Sequence, residues 1–168
     1  YWLVLGNAYY ADGQLDKAVE ITEDWIVKRP TNKDAYLRLI ALHDINKKYA
    51  QALPVAKTAQ QKFSKEEQFG MLVTYFSLVT GDLKTAELTF SNLTDGARES
   101  VAGQGLMGQI LLEKGDATSA LPKLKAFYEQ KSSQANASLV AKAFKALKQY
   151  SEAISFLQAH IGNVGNSI

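Results

Sequence analysis

Small apolar residues return along the chain at a nearly fixed interval: Ala18, Ala52, Ala86, Ala120 and Ala153 are separated by 34, 34, 34 and 33 residues. An interval of that length holds two short helices and their turns, and such a pair cannot bury its own apolar face without a neighbouring copy. The pattern predicts an all-α chain of stacked helical hairpins. An alanine once per unit marks a close helix–helix approach, where a larger side chain would overpack the contact by about 1–3 kcal/mol. Gly13, Gly81 and Gly115 fall where a first helix ends and the chain reverses, a place that suits left-handed backbone. Asp16, Asp82 and Asp116 lie near the following helix start, where a carboxylate can accept from free amides and complement the helix dipole. Ser64, Lys65, Glu66 and Glu67 read as a capping box opening the third unit. Pro54 and Pro122 lie 68 residues apart, two full periods, and fall in the early part of second helices where a missing amide donor costs little.

The first unit carries Trp2, Leu5, Gly6, Tyr9, Gly13, Ala18 and Pro30 at the spacings of the tetratricopeptide pattern W-x-x-L-G-x-x-Y followed by G, A and P. The same register continues as Tyr36, Leu39, Ala52 and Ala59, then as Gly81, Asp82, Leu83, Ala86 and Phe90. It runs on through Gly108, Gly115, Asp116, Ala120 and Leu124 to Tyr150, Ala153 and Leu157. The chain thus resembles a tetratricopeptide-repeat protein over nearly its whole length. That resemblance implies an α-solenoid of about five helix-turn-helix repeats in a right-handed superhelix, divided near 1–32, 33–66, 67–100, 101–133 and 134–168. A single array 1–168 of ten helices is the expected organisation. The signature aromatic becomes Gly70, Gln104 and Ala137 in the last three units, so looser or shifted packing is expected there.

Charge narrows the partners. Nineteen basic and 17 acidic residues leave a net charge of +2, too balanced to make nucleic acid or an anionic membrane the main partner. No apolar run is long enough to span a bilayer, and Tyr1, Trp2 and Leu3 lack the charged start of a signal peptide. The chain begins without Met inside an opening helix, and residues 162–168 look frayed, so a fragment of a longer protein is expected. Zero cysteine excludes disulfides, thiolate zinc sites and cysteine nucleophiles, and leaves the compartment open.

Candidate chemistry is sparse. Gly103, Gly105 and Gly108 match the G-x-G-x-x-G dinucleotide fingerprint, but that motif needs a preceding strand, whereas Ala97 to Lys114 reads as one helix. Close helix packing is the better account of these glycines. His43 and His160 occupy positions that face the core. With no paired histidines, no G-x-S-x-G and no phosphate loop, no catalytic residue, metal site or cofactor is assigned. Asn92 and Asn136 open glycosylation sequons that fall on or at predicted helices and are treated as chance matches.

The resemblance also implies a concave groove lined by first helices. Mapped onto this chain, its middle is apolar, with Leu37, Ile45, Met71, Tyr75, Leu78 and Val79. Asp34, Asp44 and Gln68 form a polar fringe. Repeat four would add Gly105 and Gln109 to the same surface. Such a stripe suits a partner peptide or amphipathic helix better than a charged tail. The carboxylate clamp of some family members needs lysine, asparagine and arginine where this chain has Leu3, Asn7, Arg38, Gln68 and Leu72, and only Asn7 fits. The expected function is a non-catalytic protein-binding scaffold. A structural spacer or self-associating module with an empty groove is the competing role, and the stripe could equally be buried against neighbouring repeats.

The run from Leu139 to Phe144, followed by Tyr150 to Ile154, resembles the repeats of bacterial tetratricopeptide lipoproteins of exopolysaccharide production and PEP-CTERM surface-protein sorting. That resemblance implies a periplasmic or envelope setting.

Overall fold

The computed structural model describes residues 1–165, and among these the chain forms eleven helices and no strand. α1 (Trp2–Ala11) pairs with α2 (Leu15–Lys28), α3 (Lys33–Ile45) with α4 (Tyr49–Lys62), and α5 (Glu67–Val79) precedes α6 (Leu83–Ser91). A short α7 (Asp95–Glu99) comes before the pair α8 (Val101–Glu113) and α9 (Ala117–Gln130). The last pair is α10 (Gln134–Ala146) and α11 (Tyr150–Gly165). α11 is helical through Gly165, so the fraying expected from residue 162 is absent that far, and residues 166–168 lie outside the described chain.

The reversal inside each hairpin is built the same way five times. Gly13, Lys47, Gly81, Gly115 and Lys148 have φ of 74°, 54°, 81°, 85° and 60°. After each, the next amide donates to the carbonyl five residues back: Gln14 to Tyr9, Lys48 to His43, Asp82 to Ser77, Asp116 to Leu111 and Gln149 to Phe144, all at 2.8–2.9 Å. A left-handed residue lets that bond satisfy a helix-end carbonyl that would otherwise have no partner. Glycine was expected at three of these turns, and lysine carries the same conformation at the other two.

Several expected start signals move. Asp82 and Asp116 cap α6 and α9, accepting from the amides of Thr85 at 3.1 Å and Ser119 at 3.0 Å. Asp16 instead lies inside the first turn of α2 and pairs with Lys48 at 3.3 Å, because Gln14 holds the cap position; the Gln14 side chain donates to Asp12 and does not cap the helix. Ser64 does not form a capping box: α5 starts after Glu66, whose carboxylate is drawn to Lys33 at 2.9 Å. Pro54 and Pro122 are each the sixth residue of their helix, past the free donors of the first turn, so each removes one helical hydrogen bond. The single helix expected over 97–114 is broken at Ser100, which caps α8 through its hydroxyl to the Gly103 amide at 3.1 Å. That break adds the eleventh helix.

The chain divides into two compact units, residues 1–89 and Phe90 onward. In the first, Tyr36 and Ile40 of α3, Ala52, Ala56 and Ala59 of α4, and Phe69, Val73 and Phe76 of α5 form one buried cluster. The period alanines sit at close helix approaches: Ala18, Ala52, Ala86 and Ala120 are fully buried, and only Ala153 is partly exposed. Loss of the signature aromatic does not loosen the third unit, because Gly70 is buried and Phe69 stacks on Phe63 at 5.5 Å between ring centres. In the second unit Ala120, Leu124, Val140, Ala143 and Phe144 form the core. There α8 lies hard against α9: a Cβ at Gly105 would sit 2.6 Å from the Phe127 ring, and one at Gly108 2.9 Å from Leu124.

Candidate functional site

α3 and α5 are the first helices of successive hairpins, and α4 packs against both. Asn32 fixes the start of α3 by accepting from the Ala35 amide at 3.2 Å, and the left-handed Lys47 ends it. Between these points Asp34, Leu37, Asp44 and Ile45 recur at helical spacing, as Gln68, Met71, Tyr75, Leu78 and Val79 do on α5. Ile45 is 51% exposed and Val79 40%, large values for apolar side chains. Asp34 and Gln68 are exposed, while Leu37, Asp44, Met71, Tyr75 and Leu78 are half-buried.

These residues do not contribute alike. Leu37 and Tyr75 lean on the core cluster, and the Tyr75 ring meets Phe76 edge-on at 4.9 Å. Burial pushes the Tyr75 phenol up to about 12, with smaller contributions from the Asp44 charge and from Tyr49. Burial also raises the Asp44 carboxyl above its ordinary value. The Asp44 charge on α3 thus acts on the Tyr75 phenol of α5.

Of the clamp positions, Leu3, Asn7 and Gln68 are exposed, and Leu72 packs against the core cluster. Arg38 stands apart. Its guanidinium carbon lies 5.3 Å above the Tyr10 ring, while Nε and Nη2 are shielded from water and bond to nothing. Sequence reasoning weighed Arg38 only as a failed clamp residue, since no spacing rule marks a cation that lacks a partner.

The other candidates resolve into packing. Gly103, Gly105 and Gly108 are buried in α8, and a Cβ on Gly103 would lie 2.2 Å from the Ala97 carbonyl oxygen. Gly105 thus faces Phe127 of α9 and not the groove surface on which it was mapped. No strand precedes these glycines among the described residues. His43 and His160 are both buried; His160 Nδ1 bonds the Tyr128 hydroxyl at 2.8 Å, and His43 Nδ1 is unpartnered. Asn136 lies in α10 and donates to the Lys131 carbonyl, whereas Asn92 sits in the turn after α6, outside any helix. Among the described residues no group of acids and histidines could hold a metal ion, and no helix is long and apolar enough to cross a membrane.

Repeated antiparallel helix pairs, each closed by the same left-handed turn, define a helical-hairpin repeat protein, and the comparisons with solved structures agree. A tetratricopeptide repeat protein from Parabacteroides merdae superposes with a TM-score of 0.79 at 12% identity, over 96% of this chain and 63% of that one. The Cut9–Hcn1 assembly of the APC/C gives 0.76 at 17% identity, over 95% and 32%. MamA from Desulfovibrio magneticus RS-1 gives 0.73 at 8% identity, over 99% and 94%. The chain thus has the tetratricopeptide-repeat fold, and it spans about a third of the Cut9–Hcn1 chain and less than two thirds of the Parabacteroides one. No sequence family and no curated protein sequence matches it.

Proposed function

We propose that the chain is a non-catalytic scaffold that binds a peptide or helix of a partner protein along the first helices of its N-terminal unit. The observation that carries this reading is the α3–α5 stripe, where Ile45 and Val79 remain exposed beside half-buried Leu37, Met71 and Leu78. A stripe at helical spacing that keeps both apolar side chains and water access is suited to an incoming apolar segment, and Asp34, Asp44 and Gln68 would set its register. The resemblance of the C-terminal repeats to bacterial envelope lipoproteins supports a role within an exopolysaccharide or surface-protein assembly.

The test is affinity capture from lysate with the parent chain beside an Ile45→Glu, Val79→Glu variant, bound proteins being identified by mass spectrometry. These two positions are chosen because Tyr75 supports the core, so its substitution would confound binding with folding. A partner held by the parent and lost by the equally helical variant supports the groove. Unchanged capture refutes it, and a change in oligomeric state alone favours the self-associating role.

A further inference from the structure

A cleft of about 660 Å³ is lined by the second helices α2 and α4, with His43 of α3 among its residues. It is separate from the apolar stripe, none of whose residues lines it. Asp16, Glu20 and Glu23 recur at helical spacing along its α2 wall. Lys48 is the basic residue of the lining, and its ammonium is taken by Asp16 at 3.3 Å. Glu20 and Glu23 are exposed and enter none of the ion pairs among the described residues, Lys33–Glu66, Lys48–Asp16 and Arg98–Asp95.

His43 supplies what an acidic helix face alone lacks. It is 6% exposed, and its Nδ1 is hidden from water and bonded to nothing. A hidden ring nitrogen is normally satisfied, so this one marks a place where a partner group is missing. Burial favours the neutral ring, in which one nitrogen keeps a lone pair and acts only as an acceptor. The α4 wall adds to the imbalance: Pro54 has no amide to give the carbonyl of Ala50, four residues earlier, and both residues line the cleft. Acceptors thus come from three helices, while the charged donor Lys48 is already engaged.

We propose that this cleft is a receptor for a primary alkylammonium group, seated over His43 beside Glu20 and Glu23. An ammonium is a compact cation with three rotatable donors, which suits acceptors carried on separate helices, whereas a guanidinium is a planar fork that suits the two oxygens of one carboxylate. Val19, Pro54 and Val55 offer apolar wall to the methylene stem behind the charge. A divalent metal does not fit, since no group of acids and histidines among the described residues could hold one. The same chemistry is carried by a lysine side chain of a partner polypeptide and by a free diamine. The proposal is independent of the α3–α5 stripe and stands if that reading falls.

The experiment titrates the isotopically labelled full chain, at low ionic strength, with N-acetyl-lysine-N-methylamide, its Nε-acetylated form, the arginine analogue and cadaverine, following the ring nitrogens of His43 by NMR. The lysine compound should shift the Nδ1 resonance saturably and bind at least about tenfold more tightly than the acetylated form, which has lost its charge, and about threefold more tightly than the arginine analogue. Replacing both exposed acids, Glu20→Gln with Glu23→Gln, should weaken the lysine compound at least about fivefold with helical content unchanged. Cadaverine binding more tightly than the lysine compound supports a free diamine as the occupant, and any other order among these two supports a partner's lysine. Equal binding of the acetylated or arginine compound overturns the proposal. So does a response that leaves the His43 ring silent, which is ordinary ion pairing at a solvated helix face, and so does the absence of any saturable shift.

Discussion

The five hairpin turns allow one backbone term to be tested in both directions within the same molecule. Lys47 and Lys148 hold φ of 54° and 60° where Gly13, Gly81 and Gly115 hold 74°, 81° and 85°. A side chain in the left-handed region costs about 1–2 kcal/mol, because Cβ approaches the following carbonyl oxygen. Glycine removes that cost but releases about 0.4–1 kcal/mol of extra entropy in the unfolded chain. Lys47→Gly should therefore stabilise the protein by a net of about 0.7 kcal/mol, and Gly81→Lys should destabilise it by a similar amount. No Cβ clash enters the second figure, since nothing lies within 4 Å of a Cβ built at Gly81. In urea, with a slope of about 2 kcal/mol per molar, the midpoints should move by about 0.3 M in opposite directions with the slope unchanged. The common 2.8–2.9 Å amide bond after each turn should persist in both variants. If Lys47→Gly is neutral or destabilising while Gly81→Lys is tolerated, left-handed strain at these turns is not a stability term and the reasoning fails.

Other outcomes follow from single contacts. Gly105→Ala should cost about 1–3 kcal/mol by thermal unfolding, because its methyl would lie 2.6 Å from the Phe127 ring; Gly96→Ala, with open space around it, should be neutral or stabilising. Burial lowers the His43 pKa below its ordinary 6.5, with Glu23 opposing and Lys48 assisting the shift. The unfolded chain then binds more protons below that value, so stability is present above pH 6.5 and falls as the solution is acidified, and His43→Gln should flatten that fall in urea melts taken between neutral and mildly acidic pH. Tyr75 should ionise near pH 12, seen as the component lost from the alkaline absorbance titration on Tyr75→Phe. Since the unfolded phenol loses its proton near its ordinary 10, Tyr75 should lower stability as pH climbs from there towards 12, a dependence that Tyr75→Phe removes.

The period was legible because it is a repeated packing constraint: at four of its five positions an alanine is fully buried between helices, and the same letter returns at the same place. Turn conformation was only partly legible. Glycine announces a left-handed residue, but Lys47 and Lys148 adopt it under tertiary constraint without any letter that says so. The start of α5 was misplaced because the helix begins after Glu66, two residues beyond Ser64, and Glu66 pairs with Lys33, a residue 33 positions away that no local pattern includes. The break at Ser100 was hidden because serine after Arg98 and Glu99 fits a helix interior as well as a cap. Mapped groove positions on α3 and α5 fell on accessible or half-buried sites, whereas Gly105 did not, because the small residues of α8 draw α9 inward.

That contrast bears on where recognition resides. On α3 and α5 burial separates the stripe into two sets. Leu37 and Tyr75 are shared with the core, so they give the surface its shape and stiffness. Ile45, Val79, Asp34 and Gln68 are open to water and can vary without disturbing the packing beneath. Arg38 belongs to neither set: its stem and ring contact are folded in, yet its donors are left unused. On the scaffold reading proposed above, apolar affinity is spread along α3 and α5, while the partly desolvated and unsatisfied Arg38 guanidinium is a cost to the free chain.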